Sequence, residues 1–84
     1  MASISTLRSI STAADATFYA AREVYYSTLA EVAVNYSNEL YASIGRLEDA
    51  YRAARIAMEN ANAELEHAVL VSVGVRREPA RKAA

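Results

Sequence analysis

The chain has no cysteine and no tryptophan, only two glycines, one proline and one histidine. Without cysteine there are no disulfides, and His67 alone does not make a structural zinc site of the Cys/His type. Domains of about this size lean on staples, metals or association for stability. With the first two removed, association is the expected support for a chain of 84 residues. Gly45, Gly74 and Pro79 are too few to punctuate a β-rich fold, which needs turn residues every 8–12 positions or so.

Long apolar runs are also missing. The nearest approach, Val24–Leu40, is interrupted by Glu31 and Glu39, so a membrane-crossing helix of about 20 apolar residues is not expected. There is no glycine-rich phosphate loop and no Glu-x-x-His pair of the di-iron bundles. Asp15, Glu23, Glu31 and Glu39 recur at a spacing that advances about 80° around a helix each time, so they wind around it instead of forming a metal-binding row. His67, flanked by Glu64 and Glu66, reads as a solvated surface residue. No catalytic, cofactor-binding or metal-ligating residue is assigned, and an enzyme is not expected.

Charge is unevenly distributed. Residues 1–75 hold five arginines against nine acids, a balance of −4. The tail from Arg76 onward has four basic residues and one acid, a balance of +3. An acidic body argues against nucleic acid as a partner. It argues equally against a membrane surface, since residues 23–69 carry three arginines and eight acids where interfacial helices carry basic polar faces. Only the tail, through Arg76, Arg77, Arg81 and Lys82, offers electrostatic docking, onto phosphate or onto the acidic body of another copy.

What the sequence does have is a stripe. At about 100° per residue, Phe18, Tyr25, Leu29, Val32, Tyr36, Leu40, Ile44, Leu47, Tyr51, Met58, Leu65 and Val69 share one face. Every charged residue from Glu23 to His67 lies off it. This pattern predicts an all-α protein built on a long amphipathic helix. Tyr25, Tyr36, Leu47, Met58 and Val69 repeat every 11 residues, a period that predicts a straight or slightly right-handed arrangement.

The chain divides into a polar lead-in (1–11), a helical body (12–74) and a basic tail (75–84). Thr12 with Asp15 resembles a capping box, although Ser5 or Thr6 would start the helix earlier. Gly74 suits a left-handed stop, with Pro79 soon after. The β-branched segment 68–75 reads as the last helical turns. Two architectures fit the body: a near-continuous helix, favoured by unbroken phase through Gly45, or a two-helix hairpin folded near Gly45. N35-Y-S-N38 is a second candidate turn, because Asn and Ser weaken a helix.

The functional expectation is a non-enzymatic structural protein. It self-assembles by helix packing into a homo-oligomer, in the extended case a filament or tube. Tyr25, Leu29, Val32, Tyr36, Leu40, Leu47, Tyr51 and Met58 are the candidate self-association residues. The alternative is a closed helical dimer or tetramer acting as an adaptor, chaperone or regulatory module. In that case Tyr19, Tyr26 and Tyr41, which lie beyond the stripe's edge, would dock another protein.

Overall fold

The computed structural model describes residues 3–74. They form an antiparallel hairpin of α1 (Ile4–Val34) and α2 (Asn38–Ser72), with no strand among the described residues. The all-α expectation holds.

The near-continuous helix does not form, and the reversal is not at Gly45. The chain turns over Asn35–Ser37, the second candidate. Ser37 caps α2, its hydroxyl accepting from the Leu40 amide at 3.0 Å, and Glu39 in the first turn complements the helix dipole. Asn35 closes α1 by donating its amide to the Glu31 carbonyl at 2.7 Å. Gly45 lies inside α2, where a glycine costs only about 1 kcal/mol relative to alanine and does not by itself stop a helix. Phase continuity across the turn is a coincidence of spacing. Val32 and Leu40 are two helical turns apart in number, and Tyr36 occupies the stripe position between them, yet Tyr36 sits at the tip and is 62% exposed.

The helix also begins earlier than Thr12. Ser3 is the N-cap, accepting from the Thr6 amide at 3.1 Å, so residues 4–11 belong to α1 and not to a lead-in. Ile4 and Leu7 are half-buried and extend the apolar seam by a further two turns, which is why the cap at Ser3 prevails. At the other end α2 runs to Ser72, and Gly74 takes φ +87°, the left-handed stop expected of it. The basic tail, with Arg76, Arg77, Arg81 and Lys82, lies outside the described residues.

The least exposed positions of α1 include Ile4, Leu7, Ser11, Ala14, Phe18, Ala21, Tyr25, Thr28 and Val32. Those of α2 include Leu40, Ile44, Leu47, Tyr51, Ala54, Met58, Ala61, Leu65 and Ala68. Both series alternate steps of three and four, a seven-residue period, so the seam is that of a left-handed antiparallel coiled coil. The 11-residue repeat does not follow it: Tyr25, Leu47 and Met58 are in the seam, whereas Tyr36 and Val69 are exposed.

Facing residues have numbers that sum to about 72, as the turn centre and the Ser11–Asn62 and Phe18–Tyr51 contacts require. Large therefore meets small. Phe18 stands opposite Ala54, Met58 opposite Ala14, and Tyr51 opposite Ala21. Phe18 and Tyr25 are about 10.5 Å apart along α1, which leaves room for one ring. Tyr51 fills it, with ring centroids 5.5 Å from each neighbour and interplanar angles of 24° and 18°. This three-ring ladder fixes the register of one helix on the other.

Candidate functional site: two unlike faces

A two-helix hairpin is one helix layer thick, 17 Å in its shortest extent, so the seam has two open flanks. In an antiparallel pair, each flank combines one seven-residue column from each helix.

One flank takes Arg8, Asp15, Arg22 and Leu29 from α1, and Tyr41, Glu48, Arg55, Asn62 and Val69 from α2. The side-chain contacts gather here. Ser11, the most buried polar residue at 6% exposure, donates its hydroxyl to Asn62 Oδ1. Asn62 Nδ2 in turn donates to Asp15 Oδ1 at 3.4 Å. Arg52 pairs with Glu48 at 2.8 Å and Arg55 with Glu59 at 3.6 Å. Both are exposed i, i+4 pairs worth a few tenths of a kcal/mol each.

Tyr26 lies over the same flank, its ring 6.0 Å from that of Tyr51 and beneath the Arg22 guanidinium at 6.0 Å. Its phenol is held above the ordinary value of 10.0. The first cause is a hydrogen bond with the Tyr51 side chain, then the charge of Tyr51 when ionised; Arg22 opposes the shift. Tyr19, Arg22, Glu23 and Tyr26 border an open concavity of about 460 Å3.

The opposite flank takes Ile10, Thr17, Val24 and Glu31 from α1, and Ser43, Ala50, Ala57, Glu64 and Val71 from α2. Behind these columns stand Ala13, Ala20 and Ala53. Its formal charges are Glu31 and Glu64 with the bordering Glu39 and Arg46. Near the open end this side holds an apolar cavity of about 530 Å3 between Ile4, Leu7, Ala68 and Val71, with Glu64 and His67 at its rim.

Seven of the eight candidate self-association residues are half-buried, Tyr25, Val32, Leu40, Leu47, Tyr51 and Met58 in the seam and Leu29 beside it. The stripe expected to meet other copies is met first by the chain's own second helix. The eighth, Tyr36, is at the tip, its hydroxyl donating to Asn38 Oδ1 at 3.0 Å. Tyr19, Tyr26 and Tyr41 are exposed, and Tyr36 and Tyr41 bring their rings to 5.9 Å.

Two features escaped the sequence reading. The Ser11–Asn62–Asp15 link joins residues that only the register brings together. The alanine-rich flank carries too little hydrophobicity to mark a stripe, and its signal is a charge-poor column beside the seam.

Among the described residues, no three His, Asp or Glu side chains converge on a metal position. No described helix is long and apolar enough to cross a membrane. No family model, curated protein or solved structure matches the chain.

Proposed function

We propose that this chain is a non-enzymatic structural subunit, a helical hairpin that self-assembles by helix packing into a homo-oligomer. One observation carries the reading: the hairpin covers very little of itself. Phe18, Ala54, Ala61 and Ser11 are its only buried residues among those described, and no side chain is fully enclosed. Stable small domains bury a contiguous core, with a typical core residue touching six to twelve others or so. A single layer does not supply that, whereas a second layer laid on either flank does.

The test is sedimentation velocity on the full chain over a wide concentration range, with helicity followed in parallel by circular dichroism. A mass that is a multiple of the protomer, with helicity falling as the assembly dissociates, is the expected result. A folded monomer at every concentration would overturn the reading. Continued growth with concentration would make the assembly an open filament, in which two different surfaces meet by a non-closing operation.

A second reading has its own support in the exposed cluster of Tyr19, Arg22 and Tyr26. Tyrosine and arginine are enriched where proteins dock, so a closed helical module would present this cluster to another protein. Loss of partner capture, with assembly intact, on replacing Tyr19, Tyr26 and Tyr41 together separates this reading from the first.

A further inference from the structure

The alanine-rich flank has an internal symmetry. Two of its exposed aliphatics on α1, Ile10 and Val24, are each 49% exposed and stand at equal distances on either side of Thr17, while a third, Val34, lies at the turn end. On α2, Arg46 and Glu64 stand at equal distances on either side of Arg55, the midpoint of the helix. Thr17 and Arg55 lie at the same level of the hairpin, because facing residues sum to about 72. A single two-fold axis at that level, in the plane of the flank and across the helices, therefore does two things. It brings Ile10 of one copy onto Val24 of a second copy, and Arg46 onto Glu64 of that copy, each pair occurring twice. Alanines 50, 53 and 57 flank the axis on α2 and let two helices approach closely.

We infer that two copies of this chain pack through the alanine-rich flanks, flipped end to end, into a closed four-helix bundle. Arg46 of each copy pairs with Glu64 of the other. The inference rests on the self-assembly reading above and names its surface and register. The charge pattern identifies the occupant. Arg46 and Glu64 take part in neither of the ion pairs among the described residues. Within one copy they are about 27 Å apart at 1.5 Å per residue, too far to meet. An end-to-end copy satisfies both at once, which is the self-complementarity that a two-fold interface demands.

The size fits as well. A flank 55 Å long and two helices wide offers on the order of 800–1,000 Å2 per copy, the area of a standard stable interface. The aromatic flank, with its arginines and acids, then faces outward on both sides of the bundle.

The experiment is sedimentation equilibrium on the full chain and four variants: Ala57→Glu, Arg46→Glu, Glu64→Arg, and the last two combined. All of these positions are exposed in the hairpin, and circular dichroism confirms that each variant remains helical. Ala57→Glu is expected to weaken the dimer by about a hundredfold or more, because it buries an unpaired charge. Each single charge reversal is expected to weaken it by about tenfold, and the double reversal to restore it to within about threefold of the parent.

A double reversal no better than the singles overturns the register. An assembly indifferent to Ala57→Glu overturns the surface while leaving self-assembly standing. A monomeric parent chain overturns both.

Discussion

The two flanks of the hairpin start from the same seam and diverge in what they have to spend it on. On the aromatic side the chain's own side chains reach over the seam: Tyr26 leans over Tyr51, and Asn62 links Ser11 to Asp15. On the alanine side, among the described residues, no side-chain hydrogen bond or ion pair joins the helices, and Ile10 and Val24 stay half in water. The first flank holds the two helices of one chain in register. The second is left for something flat and equally small to lie against. Long, charged or aromatic side chains close a surface and define its geometry; short ones leave backbones near the surface and make close helix approach feasible.

That division is testable by substitution, because changes on the first flank and in the seam beneath it act on the fold. Phe18→Ala removes the lower ring of the three-ring ladder. It is expected to cost about 3 kcal/mol, a large part of the stability of a small domain, read as a collapse of the urea midpoint at fixed protein concentration. A loss below about 1 kcal/mol would mean the ladder does not set the register.

Asn62→Leu is next. It leaves the buried Ser11 hydroxyl without its partner and is expected to cost about 1–2 kcal/mol. Adding Ser11→Ala to it should recover most of that loss, since removing both partners of a buried hydrogen bond is much cheaper than removing one. A cycle without recovery would show that Asn62 acts through Asp15 alone.

The turn provides a pair of opposite sign. Ser37→Ala removes the cap of α2 and is expected to lower stability by about 1 kcal/mol. Gly45→Ala is expected to raise it by about 0.5–1 kcal/mol, because a Cβ there meets nothing within 4 Å. Thermal unfolding of the two variants decides where the chain reverses. A destabilised Gly45→Ala would return the bend to Gly45.

The smallest expected effect is a titration. The Tyr26 phenol is held above 10.0, first by its hydrogen bond with Tyr51. The folded state therefore favours the neutral form. Its contribution is complete below the unfolded value near 10 and is lost as pH rises through the folded value. Ultraviolet titration of the folded protein should show the Tyr26 phenol titrating late, and Tyr51→Phe should bring it back toward 10.0. An unmoved titration would dissociate Tyr26 from the seam.

The helical class, the stop at Gly74 and the exposure of Tyr19, Tyr26 and Tyr41 were legible in the residues, because each rests on local chemistry or on phase along one helix. The position of the bend was only half legible. Periodicity is blind to a turn when the residues on either side keep the same phase, as Val32 and Leu40 do, and the deciding information was the capping chemistry of Ser37. The start of α1 was illegible for a related reason: Ser3 lies in a polar tract, although Ile4 and Leu7 are already in step with Phe18. Seven of the eight candidate contact residues are half-buried within the hairpin, where the chain's own second helix meets them, and Tyr36 is exposed at the tip. One stripe does not say whether the helix across from it belongs to the same chain. The alanine flank was the least legible, since it appears only after the seam has defined what lies beside it.

The constant sum of facing residue numbers also sets an order of events in time. Val32 and Leu40 are joined by a loop of a few residues, whereas Ile4 and Ala68 close a loop of nearly the whole described chain. Loop-closure entropy grows with the logarithm of that length, so contacts near the turn form at the least cost and those at the open end come last. Folding of the hairpin is expected to run as a zipper from Asn35–Ser37 outward, and unfolding to fray in reverse. Amide exchange then has a gradient built into it, fastest beside the apolar cavity between Ile4, Leu7, Ala68 and Val71 and slowest near the Tyr51 ladder and the turn-side layers.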